Sequence, residues 1–90
     1  MAWRIEYIDT VRKQLKLLDK QIAKRIINFM KERVSSMDDP RNMGKALHGT
    51  LGQFWCYRIG DYRIICDIRD KDILVLVLQI GHRKEVYRIR

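Results

Sequence analysis

Between Phe54 and Ile80 the chain carries two runs in which apolar and polar residues alternate, separated by Gly60-Asp61, and a period of two is satisfied by strands. Trp55, Tyr57 and Ile59 fall on one face of the first run, Cys56 and Arg58 on the other. Gly60-Asp61 fits a two-residue hairpin turn. Beyond it, Tyr62, Ile64, Cys66 and Ile68 alternate with Arg63, Ile65, Asp67 and Arg69. Asp70-Lys71-Asp72 reads as the next turn, and Ile73 to Ile80 is almost wholly apolar, as a strand covered on both faces should be.

The N-terminal half has a different rhythm. Trp3, Ile5 and Tyr7 alternate with Arg4 and Glu6, which predicts a short strand. Asp9 or Thr10 can cap a helix bearing Val11, Leu15 and Leu18. Asp19 can cap a second helix whose apolar stripe is Ile22, Ala23, Ile26, Ile27, Met30 and Val34, with Lys20, Lys24, Arg25 and Lys31 on its other face. Residues 35–40 read as a loop, because the residue before Pro40 is pushed out of the helical region. The order is β-α-α-β-β-β, an α+β fold with two N-terminal helices packed on a twisted antiparallel sheet. With no linker or repeat, residues 1–90 are expected to form a single domain.

Charge narrows the choice of partner. Nineteen Lys and Arg against eleven Asp and Glu give a net charge of +8, which suits nucleic acid or an acidic protein. A basic protein whose charge serves only solubility is the plainer alternative. The apolar runs are too short to span a membrane, and no hydrophobic leader follows Met1, so a cytoplasmic address is expected. Cys56 and Cys66 are the only cysteines; with His48 and His82 they form no zinc-ligand pattern, and a cytosolic address argues against a disulfide. No metal and no cofactor are expected.

The hairpin has a consequence for the arginines. If Gly60-Asp61 is the turn, Ile59 pairs with Tyr62 and Arg58 stands opposite Arg63. Opposed like charges destabilise a sheet by up to about 1 kcal/mol, so the pair makes most sense beside an anion. A three-residue second turn pairs Arg69 with Ile73 and Arg63 with Gln79, and the same parity carried past Gly81 brings Arg83, Glu85 and Tyr87 toward that face. Guanidinium groups bind phosphate through paired hydrogen bonds, and RNA supplies its own nucleophile in the 2′-hydroxyl. Spacing alone leaves a second reading open, in which these arginines are solvated or paired with Asp61, Asp67 or Glu85 and Tyr87 merely packs on the sheet. His48 and His82 read as surface or loop residues, Trp55 and Tyr57 as core, and a basic helix face is by default a solvated one.

Leu47-His48-Gly49, Phe54-Trp55, Arg58 to Ile65 and Ile80 to Tyr87 together resemble the RelE family of toxins, over the whole chain and in the same order. The Gly-Asp-Tyr-Arg and Gly-His-Arg…Val-Tyr segments are the most specific part of the match. The resemblance implies a ribosome-dependent endoribonuclease that cuts mRNA in the A site and is silenced by a cognate antitoxin. It implies that Arg63 stabilises the scissile phosphate, that Arg83 stabilises phosphate or assists the leaving 5′-oxygen, that Tyr87 is the base for the 2′-hydroxyl, and that Arg58 contributes as the second of a basic pair. The candidate RNA contacts are Lys20, Lys24, Arg25 and Lys31 of the basic helix face, with Lys45.

One position departs from the family pattern. Cys56 stands where the family often has Lys or Arg, and a thiol supplies no positive charge; Lys45 and His48 are the candidates to replace it. Two other classes stay open beside the nuclease. One is a non-enzymatic toxin resembling the ParE branch, which inhibits DNA gyrase by binding. The other is a plain basic nucleic-acid-binding module.

Overall fold

A computed structural model describes residues 2–47 and 54–82. Strand β1 (Arg4–Tyr7) leads into helix α1 (Asp9–Leu17) and helix α2 (Lys20–Asn28), which continues as a π-helical stretch over Phe29–Val34. After a 3-10 turn at Pro40–Asn42 come β2 (Lys45–Ala46), β3 (Trp55–Ile59), β4 (Tyr62–Arg69), a second 3-10 turn (Asp70–Asp72) and β5 (Leu74–His82). The strands form one sheet in the order β1-β5-β4-β3-β2. The fold is α+β, with the helices layered on one face of the sheet.

The helices follow their apolar spacing. Asp19 caps α2, its Oδ1 accepting the Gln21 N–H at 2.8 Å. Ile26, Met30 and Val34, four residues apart, are fully buried against Val11, Tyr57, Ile64, Cys66, Val75 and Val77. Two expectations differ. No side chain caps α1: Ile8 holds the cap position, and Asp9 lies inside the first turn, where its charge favours the helix dipole. Ile27 is 39% exposed, because one step along a helix from the buried Ile26 turns a side chain about 100° away from the core.

The sheet is mixed where an antiparallel one is expected. β1 runs parallel to β5, with Arg4 opposite Leu74 and Tyr7 opposite Val77, whereas β2–β3, β3–β4 and β4–β5 are antiparallel. Tight turns force antiparallel pairing only between consecutive strands. β1 reaches the sheet through both helices, so no local turn sets its direction.

The second hairpin also differs in register. Ile73 joins the 3-10 turn in a left-handed conformation, with φ 48°, so Arg69 pairs with Leu74 rather than Ile73. A bulge between Ile65 and Cys66 then passes over Leu78, and Arg63 pairs with Gly81 rather than Gln79. The bulge keeps the core in phase. Val75, Val77 and Ile80 are unevenly spaced, yet they meet Ile68, Cys66 and Ile64, and all three are buried. The two offsets, one residue each, leave Arg63 on the face the simpler register gives it.

The loop after α2 is tied to the rest of the fold by side chains that include Tyr57 and Arg41. The buried Tyr57 hydroxyl donates to the Pro40 carbonyl at 2.7 Å. Arg41 donates to both Asp70 carboxylate oxygens at 3.0 and 2.7 Å, and to Asp39 at 3.3 Å. Tyr57→Phe is expected to destabilise the protein by about 1–2 kcal/mol in urea unfolding, since it leaves a buried carbonyl unpaired. The Arg41 hydrogen bonds hold the Asp70 carboxyl below its ordinary value. Its contribution to stability is therefore present above the usual carboxylate pKa of about 4 and fades as pH falls through the lowered one. Asp70→Asn should remove that part of the acid dependence. Acid titrations of the two proteins that run parallel below pH 4 would show that the clamp has no such role.

Candidate nucleic-acid interface

The β3–β4 hairpin turns at Gly60, whose φ of +59° a residue with a side chain adopts only under strain. Asp61 is not left-handed, and glycine at the first central position is the preference of a type II′ turn. Ile59 pairs with Tyr62 and Arg58 stands directly opposite Arg63. Tyr57, Ile59, Ile64 and Cys66 belong to the core under the helices, so strand alternation sends Cys56, Arg58, Arg63 and Ile65 to the opposite face.

On that outer face the two guanidinium groups leave strands whose opposed Cβ atoms are about 5 Å apart. Arg58 is exposed and Arg63 half-buried, its Nη1 donating to the Tyr62 carbonyl at 3.4 Å. On its other side Arg63 faces Gly81, which has no side chain to fill the space. Of the carboxylates that the sequence offers as partners, Asp61 makes no ion pair among the described residues and Glu85 lies outside them. Asp67 is held by Arg69 at 3.0 Å, while Asp39 and Asp70 are held by Arg41. Among the described residues neither Arg58 nor Arg63 has an ion-pair partner. The arrangement presents two uncompensated, planar cations that can grip one anionic group from both sides.

The remaining candidates divide. Arg83 and Tyr87, like His48 and Glu85, lie outside the described residues. Lys45 belongs to β2 and pairs with Cys56. Lys20, Lys24, Arg25 and Lys31 are exposed on α2 and its extension, on the layer opposite the arginine pair. Of these only Arg25 approaches the hairpin, its guanidinium about 4 Å from where a Cβ on Gly60 would stand. That proximity is invisible in sequence, since it depends on how α2 crosses the sheet. His82, expected on the surface or in a loop, ends β5 and meets Tyr62 edge-on, with ring centroids 6.0 Å apart.

The other reactive groups are held out of play. Cys56 and Cys66 are both buried, and burial pushes the Cys66 thiol up. Burial, helped by Cys66, raises the Tyr7 phenol to about 12 and the Tyr57 phenol further, so neither can serve as a base near neutral pH. Among the described residues no group of His, Cys, Asp and Glu could hold a metal ion, and no helix is long and apolar enough to cross a membrane.

A sequence profile for the ParE toxin of type II toxin–antitoxin systems matches residues 5–87. The chain belongs to the RelE/ParE superfamily of type II toxins. This toxin is 28% identical to Toxin RelG of Mycobacterium tuberculosis over 88 residues, which is 98% of this chain and 99% of RelG. Its fold matches a chain in the crystal structure of the RelBE2 toxin–antitoxin complex of the same organism, with a TM-score of 0.83 and 26% identity, covering 94% of this chain and 95% of that one. A mutant of the E. coli toxin RelE in its free state has the same fold, at a TM-score of 0.74 and 20% identity, over 97% of this toxin and 92% of that chain.

Opposed cations should cost the free toxin stability. Arg58→Thr, which keeps a β-branched residue on the strand, is expected to raise stability by about 0.5 kcal/mol in low salt. Inorganic phosphate should stabilise the wild type more than this variant in thermal melts. Equal phosphate effects on both would show that the pair binds no anion.

Proposed function

We propose that this toxin is a ribosome-dependent mRNA endoribonuclease that cuts RNA in the A site and so arrests translation. The observation that carries the reading is the outward-facing Arg58–Arg63 pair, opposed across the hairpin and uncompensated by any described carboxylate. Two guanidinium groups beside one phosphate favour the state in which negative charge builds on its oxygens. Arg63 would hold the scissile phosphate and Arg58 would share the accumulating charge. By resemblance, Arg83 assists the departing 5′-oxygen and Tyr87 takes the proton from the 2′-hydroxyl. That hydroxyl attacks the adjacent phosphorus, the bond to the 5′-oxygen breaks, and the products carry a 2′,3′-cyclic phosphate and a 5′-hydroxyl. This route needs no metal and no cofactor.

The remaining assignments belong to the same proposal. The toxin acts as one domain over residues 1–90, in the cytoplasm. A cognate antitoxin covers the basic surface and silences it, in line with the RelB complexes formed by relatives of this fold. Lys20, Lys24, Arg25 and Lys31 supply a secondary cationic surface toward RNA, with Arg25 beside the hairpin tip.

The match to the ParE profile favours a second reading, a toxin that binds DNA gyrase without cutting anything. Primer extension on a reporter mRNA after brief induction separates the two. The nuclease reading expects new 5′ ends within translated codons, abolished by Arg63→Ala, each bearing a hydroxyl. Arrested growth with intact mRNA and gyrase-dependent DNA damage would replace it with the second reading.

A further inference from the structure

Strand β2 is only two residues long, yet its placement is tightly fixed. Leu47 N–H donates to the Phe54 carbonyl at 3.2 Å, and Ala46 and Lys45 pair with Trp55 and Cys56. Gly44 lies against the Trp55 indole so closely that any Cβ there would collide with the ring. Lys45 therefore has one register. Residues directly opposite in an antiparallel pair project from the same face, so Lys45 shares the outer face with Cys56, Arg58 and Arg63. Arg58 is its diagonal neighbour on β3, about 7–8 Å away between backbones. Lys45 is exposed and, among the described residues, has no ion-pair partner.

We propose that Lys45 is a phosphate-binding residue of the outer face, completing a cationic row Lys45–Arg58–Arg63 across β2, β3 and β4 and supplying from β2 the positive charge that Cys56 cannot supply from β3. The inference rests on the reading of this face as an RNA site and adds direction to it. An RNA strand crosses the hairpin at an angle, with one phosphate between the two arginines and a neighbouring phosphate on the β2 side at Lys45. Cys56, 4% exposed and directly opposite, is then the small side chain over which the lysine stem lies. Charge at this place can come from either strand of the β2–β3 pair, because both positions serve the same patch of surface.

The test uses the purified full-length toxin in four forms: wild type, Lys45→Ala, Lys45→Arg, and Lys45→Ala combined with Cys56→Lys. Binding to a single-stranded RNA oligonucleotide is measured over a range of salt, and cleavage on ribosomes programmed with mRNA. Loss of one phosphate contact should reduce the slope of log K against log salt by about 0.7 in Lys45→Ala. Cleavage should fall roughly ten- to a hundredfold, since the strand is no longer held in line. Lys45→Arg should keep both values, and the combined variant should recover the slope by moving the charge across the strand pair. An unchanged slope and rate in Lys45→Ala would overturn the inference. Lys45 is exposed, so its alanine variant stays folded and decides the matter even if the buried Cys56 position rejects lysine. If the wild type cuts nothing while Lys45→Ala still lowers the slope, the nuclease reading falls and the phosphate contact stands.

Discussion

The two-residue turn at Gly60-Asp61 is the constraint from which the functional geometry follows. A glycine with φ +59° closes the hairpin in the shortest way available, and that closure leaves one register for β3 on β4. In this register Tyr57 and Ile64 face the helices together, and Arg58 and Arg63 face outward together. A turn one residue longer would move every side chain of one strand to the other face. The burial of Tyr57, Ile64 and Cys66 and the opposition of two arginines are thus one decision. The first effect outweighs the second: burying those side chains is worth several kcal/mol, the charge repulsion about one at most.

The sheet then makes room for what the arginines hold. β5 meets Arg63 with Gly81, and it arrives there only because a longer turn and a bulge each shift the pairing by one residue. The bulge is imposed by the core, since Val75, Val77 and Ile80 can all be buried only if Leu78 drops out of the ladder. A packing requirement on the helix face thereby places the smallest side chain beside the guanidinium on the outer face.

The two faces divide the work. The inner one carries α1 and α2 and nearly all of the core, and the lysines of α2 point from that layer into solvent. The outer one carries cations on three neighbouring strands, and among the described residues none of Lys45, Arg58 and Arg63 is in an ion pair. Net charge alone does not distinguish these surfaces. The register of the hairpin does, because it sets Arg58 directly opposite Arg63 on the outer face.

Much was legible in the chain itself, because alternation, caps and short turns are local. The Arg58–Arg63 opposition needed only a period of two and a glycine turn, and the α2 core stripe only the four-residue spacing of Ile26, Met30 and Val34. Tertiary structure decided what no neighbouring residue dictates. The parallel direction of β1 on β5 depends on a chain return through two helices. The Arg63–Gly81 pairing depends on a bulge that only simultaneous burial of three unevenly spaced residues requires. The positions of Lys45 beside Cys56 and Arg25 beside Gly60 depend on contacts between elements 11 and 35 residues apart, which a local pattern cannot encode.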